Sequence, residues 1–114
     1  MNFKTYQDAA VDMALETAYK PEYLIPGLAA EAGEVAGKYA KYIRDISSEA
    51  KPSNTPAYAV LRDSLAGELG DVLWFVAVLC DFYQMNIEDV AAKNIEKLKS
   101  RATRGTIGGS GDTR

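Results

Sequence analysis

The sequence predicts an all-α fold, a four-helix protomer, on three observations. Apolar residues recur at steps of three and four along four separate stretches, and prolines and clusters of loop-forming residues fall between them. No segment carries the apolar and polar alternation of a half-buried strand.

The first stretch runs from Thr5 to about Tyr19, with Tyr6, Ala9, Ala10, Met13, Ala14 and Thr17 on one face, and is expected to end near Pro21. The second starts around Ile25 and Pro26, since a proline suits the first helical turn. It carries Leu28, Val35, Tyr39, Ile43 and Ile46, which gives a helix over about residues 26 to 49. Loop formers collect from Lys51 to Pro56, and Asn54 or Thr55 can cap a third helix with Pro56 in its first turn. That helix runs over about 56 to 83, and its second half, Val72 to Cys80, is apolar all round. Such a helix is covered on every side, which four short helices cannot easily provide, so assembly into a dimer or tetramer is expected. The fourth helix starts at Asn86, a cap expected to accept from the amide of Asp89, with Glu88 and Asp89 at the positive helix end and Met85 packing on Val90. After Arg104 the periodicity stops. The chain is therefore read as one all-α domain over residues 1–104, followed by a Gly-rich tail, 105–114, that is flexible or orders on a ligand.

With 114 residues and 47% apolar residues, the chain has the size and composition of one small globular domain, which often gains core by oligomerising. A net charge of −3 and a pI near 4.9 argue against nucleic acid as the partner. Any phosphate site must be local. The longest apolar run falls well short of the roughly 20 residues a membrane-spanning helix needs. A single cysteine, Cys80, excludes an internal disulfide, and the opening MNFKTYQDAA holds no apolar signal, so a cytoplasmic location is expected. Histidine is absent, which removes the commonest general base and His-ligated zinc. A di-iron carboxylate bundle is disfavoured for the same reason. Any catalysis must be led by carboxylates.

Two acidic couples stand out, Glu31 with Glu34 and Glu68 with Asp71, each three residues apart and each enclosing a glycine, Gly33 and Gly70. Residues three apart lie within roughly 60° on a helix, so each couple shares a face. Four carboxylates facing one another need cations, and oxygen-only donors select hard ions, Mg²⁺ or Mn²⁺. A glycine inside a helix costs about 0.8 to 1 kcal/mol relative to alanine, so close helix approach or room for a ligand is expected at both. The same spacing also describes a plain solvent-facing surface, and by itself it leaves both readings open. Asp63 lies off this face and is read as solvated.

On the fourth helix Lys93, Asn94, Lys97, Arg101 and Arg104 fall in one arc beside the apolar arc of Ile87, Ala91, Ile95, Leu98 and Ala102. Cations at the rim of a cleft suit a polyphosphate. Lys38, one turn beyond Glu34, is a further candidate, although an i,i+4 pair with Glu34 explains it more simply.

Four segments together resemble the MazG-like nucleotide pyrophosphohydrolases of the all-α NTP pyrophosphatase group. They are GLAAEAGEV at 27–35, LAGELGDVLW at 65–74, KNIEKLKSR at 93–101 and RGTIGGSGDTR at 104–114. The resemblance implies Mg²⁺-dependent hydrolysis of a nucleoside triphosphate to the monophosphate and pyrophosphate by a dimer or tetramer. It implies Glu31, Glu34, Glu68 and Asp71 as metal ligands and Asn94, Lys97 and Arg101 or Arg104 as phosphate-binding residues. Ala30 stands where many members carry the first of two adjacent glutamates, which leaves Glu31 as the expected base for the attacking water. The segment between Glu34 and Glu68 is also longer than is common in the group. Tyr6, Gln7 and Trp74 are candidates for the base pocket, and the tail, with Asp112 and Arg114, resembles tails of members among which some prefer dGTP. The alternative is a non-catalytic helical oligomer serving as an interaction scaffold.

Overall fold

The computed structural model describes residues 1–46 and 55–114. Four α-helices carry the chain: α1 (Phe3–Asp12), α2 (Pro21–Asp45), α3 (Pro56–Phe82) and α4 (Ile87–Thr103), with a 3₁₀ turn at Glu16–Ala18. The expected positions 47–49 of the second helix, and Asn54 as a cap, lie outside the described residues.

Each helix start has a local cause. Asn2 and Thr5 form a reciprocal cap on α1, the Thr5 amide donating to Asn2 Oδ1 at 2.9 Å and the Asn2 amide to Thr5 Oγ1 at 3.0 Å. Thr55 caps α3 by accepting from the Tyr58 amide at 3.2 Å, with Pro56 in the first turn as expected. Asn86 caps α4, but it accepts from the Glu88 amide at 2.9 Å, not from Asp89.

Boundaries differ from the sequence reading at the end of α1 and at both ends of α2, which stops at Asp45 with the expected helical residue Ile46 extended. α1 stops at Asp12 rather than near Tyr19, and the chain leaves the helix axis at Leu15, whose backbone is extended. The cause is tertiary: the Tyr19 hydroxyl donates to the Asp81 carboxylate, and its ring packs edge-on against Phe82 with centroids 5.3 Å apart. α2 begins at Pro21, five residues early, and Pro26 sits inside it. An interior proline removes a hydrogen bond and costs about 3 kcal/mol. Complete burial of Leu24 on that extra turn offsets the loss.

α2 packs along α3, and α1 packs on α3 and α4. The core joins Ala10 of α1, Leu24 of α2, Phe75, Ala77, Val78 and Cys80 of α3, and Ile87 of α4. The helix-helix approach is set at Gly27, where a Cβ would overlap the Phe75 ring. At Gly33 and Gly70, where close approach was one expectation, a Cβ would meet nothing within 4 Å. Gln7 locks α1 to the α3–α4 turn: its Nε2 donates to the Met85 carbonyl and its Oε1 accepts from the Ile87 amide, both at 2.9 Å. The turn itself needs Gln84 in the left-handed region, at φ 57°.

Phe75, Ala77, Val78 and Cys80 of the apolar half of α3 are buried within the chain, while Leu69 and Leu73 beside them stay exposed. On α2, Tyr39 and Ile43 were expected on the inner face but are about half exposed, and Leu24 and Tyr42 are buried instead. No helix among the described residues is long and apolar enough to cross a membrane.

Residues 105–114 turn back on the end of α4. Arg101 Nη2 donates to the Gly111 and Asp112 carbonyls at 3.1 and 2.9 Å, and Arg104 Nη2 to the Arg114 carbonyl at 2.9 Å. Gly105, Gly109 and Gly111 take φ of +69°, +87° and +87°, backbone that L side chains rarely adopt.

Candidate functional site

Along α2, Leu24, Leu28, Glu31, Val35, Lys38 and Tyr42 lose exposure at alternating steps of three and four. Those that do so on α3 include Leu61, Ser64, Glu68, Phe75 and Val78, and Asp71 completes the same three-four rhythm. This is the seam of a helix hairpin. Apolar residues close it at both ends, and in its middle lies a polar layer of Glu31, Lys38, Glu68 and Asp71.

Carboxylate oxygens of Glu31, Glu68 and Asp71 all lie within 4.8 Å of one another. Glu31 and Glu68 are half-buried and Asp71 is exposed, so the layer opens to solvent on one side. Burial, followed by the charges of Asp71, Glu68 and Glu34, holds the Glu31 carboxyl above the usual carboxylate range. Lys38 brings an ammonium to 3.3 Å from Glu68. It therefore pairs across the hairpin rather than with Glu34 on its own helix, because position 38 lies in the seam and position 34 beside it. Three carboxylates and one ammonium leave a formal charge of −2 in the layer. Oxygen-only donors with that residual charge fit a hard divalent cation.

Glu34 is exposed and falls outside the three-carboxylate cluster, although its charge reaches Glu31. The three-residue spacing placed it on the face with Glu31, but the three-four rhythm of the seam passes from Glu31 to Val35. That rhythm was legible in the sequence and separates Glu31 from Glu34.

Burial, and then the Asp71 charge, raise the hydroxyl of Tyr6 on α1 above the ordinary tyrosine value. Tyr6 lines an apolar pocket of about 360 Å³ with Met1, Asn2, Phe3 and Leu73. The other two base-pocket candidates are taken up structurally. Gln7 is spent on the Met85 and Ile87 backbone, and Trp74 Nε1 donates to the Ala10 carbonyl at 3.1 Å.

On α4, Lys93, Asn94 and Lys97 line a pocket of about 330 Å³ with Met85 and Val90, the two residues expected to pack together there. Arg101 is buried, at 4% exposure, and engaged by the tail. Arg104 is exposed and bonded to Ser100 and to the Arg114 carbonyl. Among the described residues no ion pair joins any of these cations to Glu31, Glu34, Glu68 or Asp71. α4 packs on α1 and on α3, the helix that carries Glu68 and Asp71.

The MazG nucleotide pyrophosphohydrolase domain family matches residues 19–105, a span that includes the hairpin, the carboxylate layer and α4. The chain is 38% identical to the Gene 37 protein of Mycobacterium phage L5 over the full length of both. It is 33% identical to the uncharacterized protein YvdC of Bacillus subtilis (strain 168), over 75% of this chain and 78% of that one. No solved structure matches it with significance.

Proposed function

Because the chain belongs to the MazG nucleotide pyrophosphohydrolase family, we propose that it hydrolyses a nucleoside triphosphate between the α and β phosphates, releasing monophosphate and pyrophosphate. The observation that carries this reading is the polar layer of the α2–α3 seam, where three carboxylates gather within 4.8 Å around a residual charge of −2. Burial and the neighbouring carboxylate charges raise Glu31, a crowding that a bound cation would relieve.

In this reading Glu31, Glu68 and Asp71 hold Mg²⁺, with Mn²⁺ able to replace it, and Glu34 contributes from the rim. When bound, the cation supplies charge neutralisation and polarisation of the phosphate oxygens. Glu31 accepts the proton of the attacking water. Its raised proton affinity brings it closer to the working pH of a general base. Asn94, Lys97, Arg101 and Arg104 hold the phosphates and offset charge on the leaving pyrophosphate, and Lys38 does so beside Glu68. The base packs into the aromatic pocket of Phe3 and Tyr6, next to Asp71, which suits a purine. A purine deoxynucleotide such as dGTP is the proposed substrate.

Among the described residues no ion pair joins the carboxylate layer to the α4 stripe, and Val60, Leu69 and Leu73 of α3 are exposed. We propose a homodimer or homotetramer packed on this face of α3, with the stripe of one copy completing the carboxylate layer of another. The setting is cytoplasmic, where nucleotide pools and Mg²⁺ are available.

Incubation with a panel of NTPs and dNTPs plus Mg²⁺, with pyrophosphate resolved from phosphate, tests the reading. Stoichiometric monophosphate and pyrophosphate support it. Release of single phosphates, or no turnover of any member of the panel, overturns it in favour of a stepwise phosphohydrolase or a helical scaffold.

A further inference from the structure

The way residues 105–114 meet α4 carries an inference beyond the reaction itself. The Asp112 carboxylate bridges two cations, Lys97 Nζ at 3.1 Å and Arg101 Nη2 at 3.2 Å. These are bonds that a phosphoryl oxygen makes with the same groups. The Lys97 bond, then the Arg101 bond, hold the Asp112 carboxyl below the usual carboxylate range. The rest of the arrangement is loose. Asp112 is 85% exposed on its side chain, and the buried Arg101 Nε finds no partner. Lys97 also lines the pocket that Lys93 and Asn94 share, so the site extends beyond the two cations that Asp112 engages.

The path of the chain is built for this return. Gly109 and Gly111 at φ +87° turn it back, and Arg114 closes the turn by donating to the Gly111 and Ile107 carbonyls. The Gly111 and Asp112 carbonyls on Arg101 fix the register, so that Asp112 rather than a neighbour arrives between the two cations.

We infer that Asp112 holds the place of a phosphoryl group on Lys97 and Arg101, so that the tail and a bound polyphosphate are alternative occupants of the α4 anion site. This rests on the reading of α4 as the phosphate side of the nucleotide site. A tethered carboxylate acts as a competitor at an effective concentration on the order of millimolar. A monoanion meeting that competitor gains little. A polyphosphate, with several charged oxygens able to reach Lys93, Lys97 and Arg101 together, displaces it. The tail thereby selects for polyphosphates over inorganic phosphate and other small anions.

The test is titration of the full-length protein with inorganic pyrophosphate, in the absence of divalent cations, by calorimetry and by amide NMR. In the wild type, saturation is expected to shift the Gly109 and Gly111 amide resonances. Asp112→Asn, which keeps the shape of the side chain, is expected to tighten pyrophosphate binding by about three- to tenfold, the range for loss of a tethered, largely exposed competitor. Lys97→Ala is expected to weaken it. A chain shortened after Thr106 is expected to repeat the tightening, which keeps the test open if Asp112→Asn folds poorly. Unchanged or weaker binding in both tail variants, glycine amides that stay in place at saturation, or no pyrophosphate binding by any variant overturns the inference and makes the tail a fixed support for Arg101. Because no turnover is read, failure of the proposed reaction is separate: a protein that hydrolyses no nucleotide can still bind pyrophosphate more tightly as Asp112→Asn.

Discussion

Lys38 of α2 reaches across the hairpin seam to Glu68 of α3, with 3.3 Å between ammonium and carboxylate. The pair places a protein cation inside the acidic layer, where it competes with any metal for Glu68. Lys38→Met is therefore expected to tighten Mn²⁺ binding by about two- to fivefold, the range for loss of a partly exposed ion pair. Calorimetric titration of Mn²⁺ into both proteins checks it, and weaker binding by the variant contradicts the competition.

Gly27 of α2 lies directly against the Phe75 ring of α3. Gly27→Ala drives a methyl into the Phe75 ring, and overpacking of this kind costs about 1 to 3 kcal/mol. Gly33→Ala and Gly70→Ala meet open space and are expected to stabilise by about 0.5 to 1 kcal/mol through helix propensity. Denaturant midpoints of the three variants give the order. If the space at Gly33 and Gly70 serves a ligand, these stabilised variants lose activity.

These contrasts mark what was legible in the sequence. Local chemistry was: Thr55 with Pro56 and Asn86 announce helix starts because a cap bonds to amides two or three residues away. The Glu68 and Asp71 spacing announces a shared face for similar reasons. What depended on distant partners was not. Spacing gives Pro21 as the end of the first helix and Pro26 as the start of the second, and only the burial of Leu24 moves that start to Pro21, while α1 shortens because Tyr19 is drawn to Asp81 and Phe82. Spacing singles out Gly33 and Gly70, yet it is Gly27 that faces the Phe75 ring. The return of the tail hangs on Arg101, a buried cation that helical spacing describes only as part of an exposed stripe.

The carboxylate layer makes a pH prediction for metal-free protein. The Glu31 carboxyl is raised in the folded state, so between its ordinary and raised values the native protein binds more protons than the unfolded chain. Stability then falls as pH rises through that window and stays lower above it. Glu31→Gln removes the term. In EDTA at neutral pH the variant is expected to melt above the wild type, with the gap closing once pH drops below the ordinary carboxylate range. Equal melting temperatures at neutral pH contradict the crowding.

The proposal that two copies complete one site has its own test. Glu31→Gln and Lys97→Ala are each expected to be nearly inactive. Mixed and allowed to exchange subunits, they form heterodimers with one intact site, so activity recovers toward about a quarter of the wild-type value. No recovery, despite exchange seen by mass spectrometry, places both halves of the site in one chain.

The central claim is that the Glu31, Glu68 and Asp71 layer cleaves a nucleoside triphosphate between its α and β phosphates. Its most direct test follows products of dGTP, or of the best substrate in the panel, by ³¹P NMR with Mg²⁺ for the wild type and Glu31→Gln. The account predicts monophosphate and pyrophosphate in equal amounts from the wild type, with kcat lowered by about 10²- to 10⁴-fold in the variant, the range for loss of a general base, while nucleotide binding persists. Single phosphates from the wild type, or full turnover by Glu31→Gln, would contradict it.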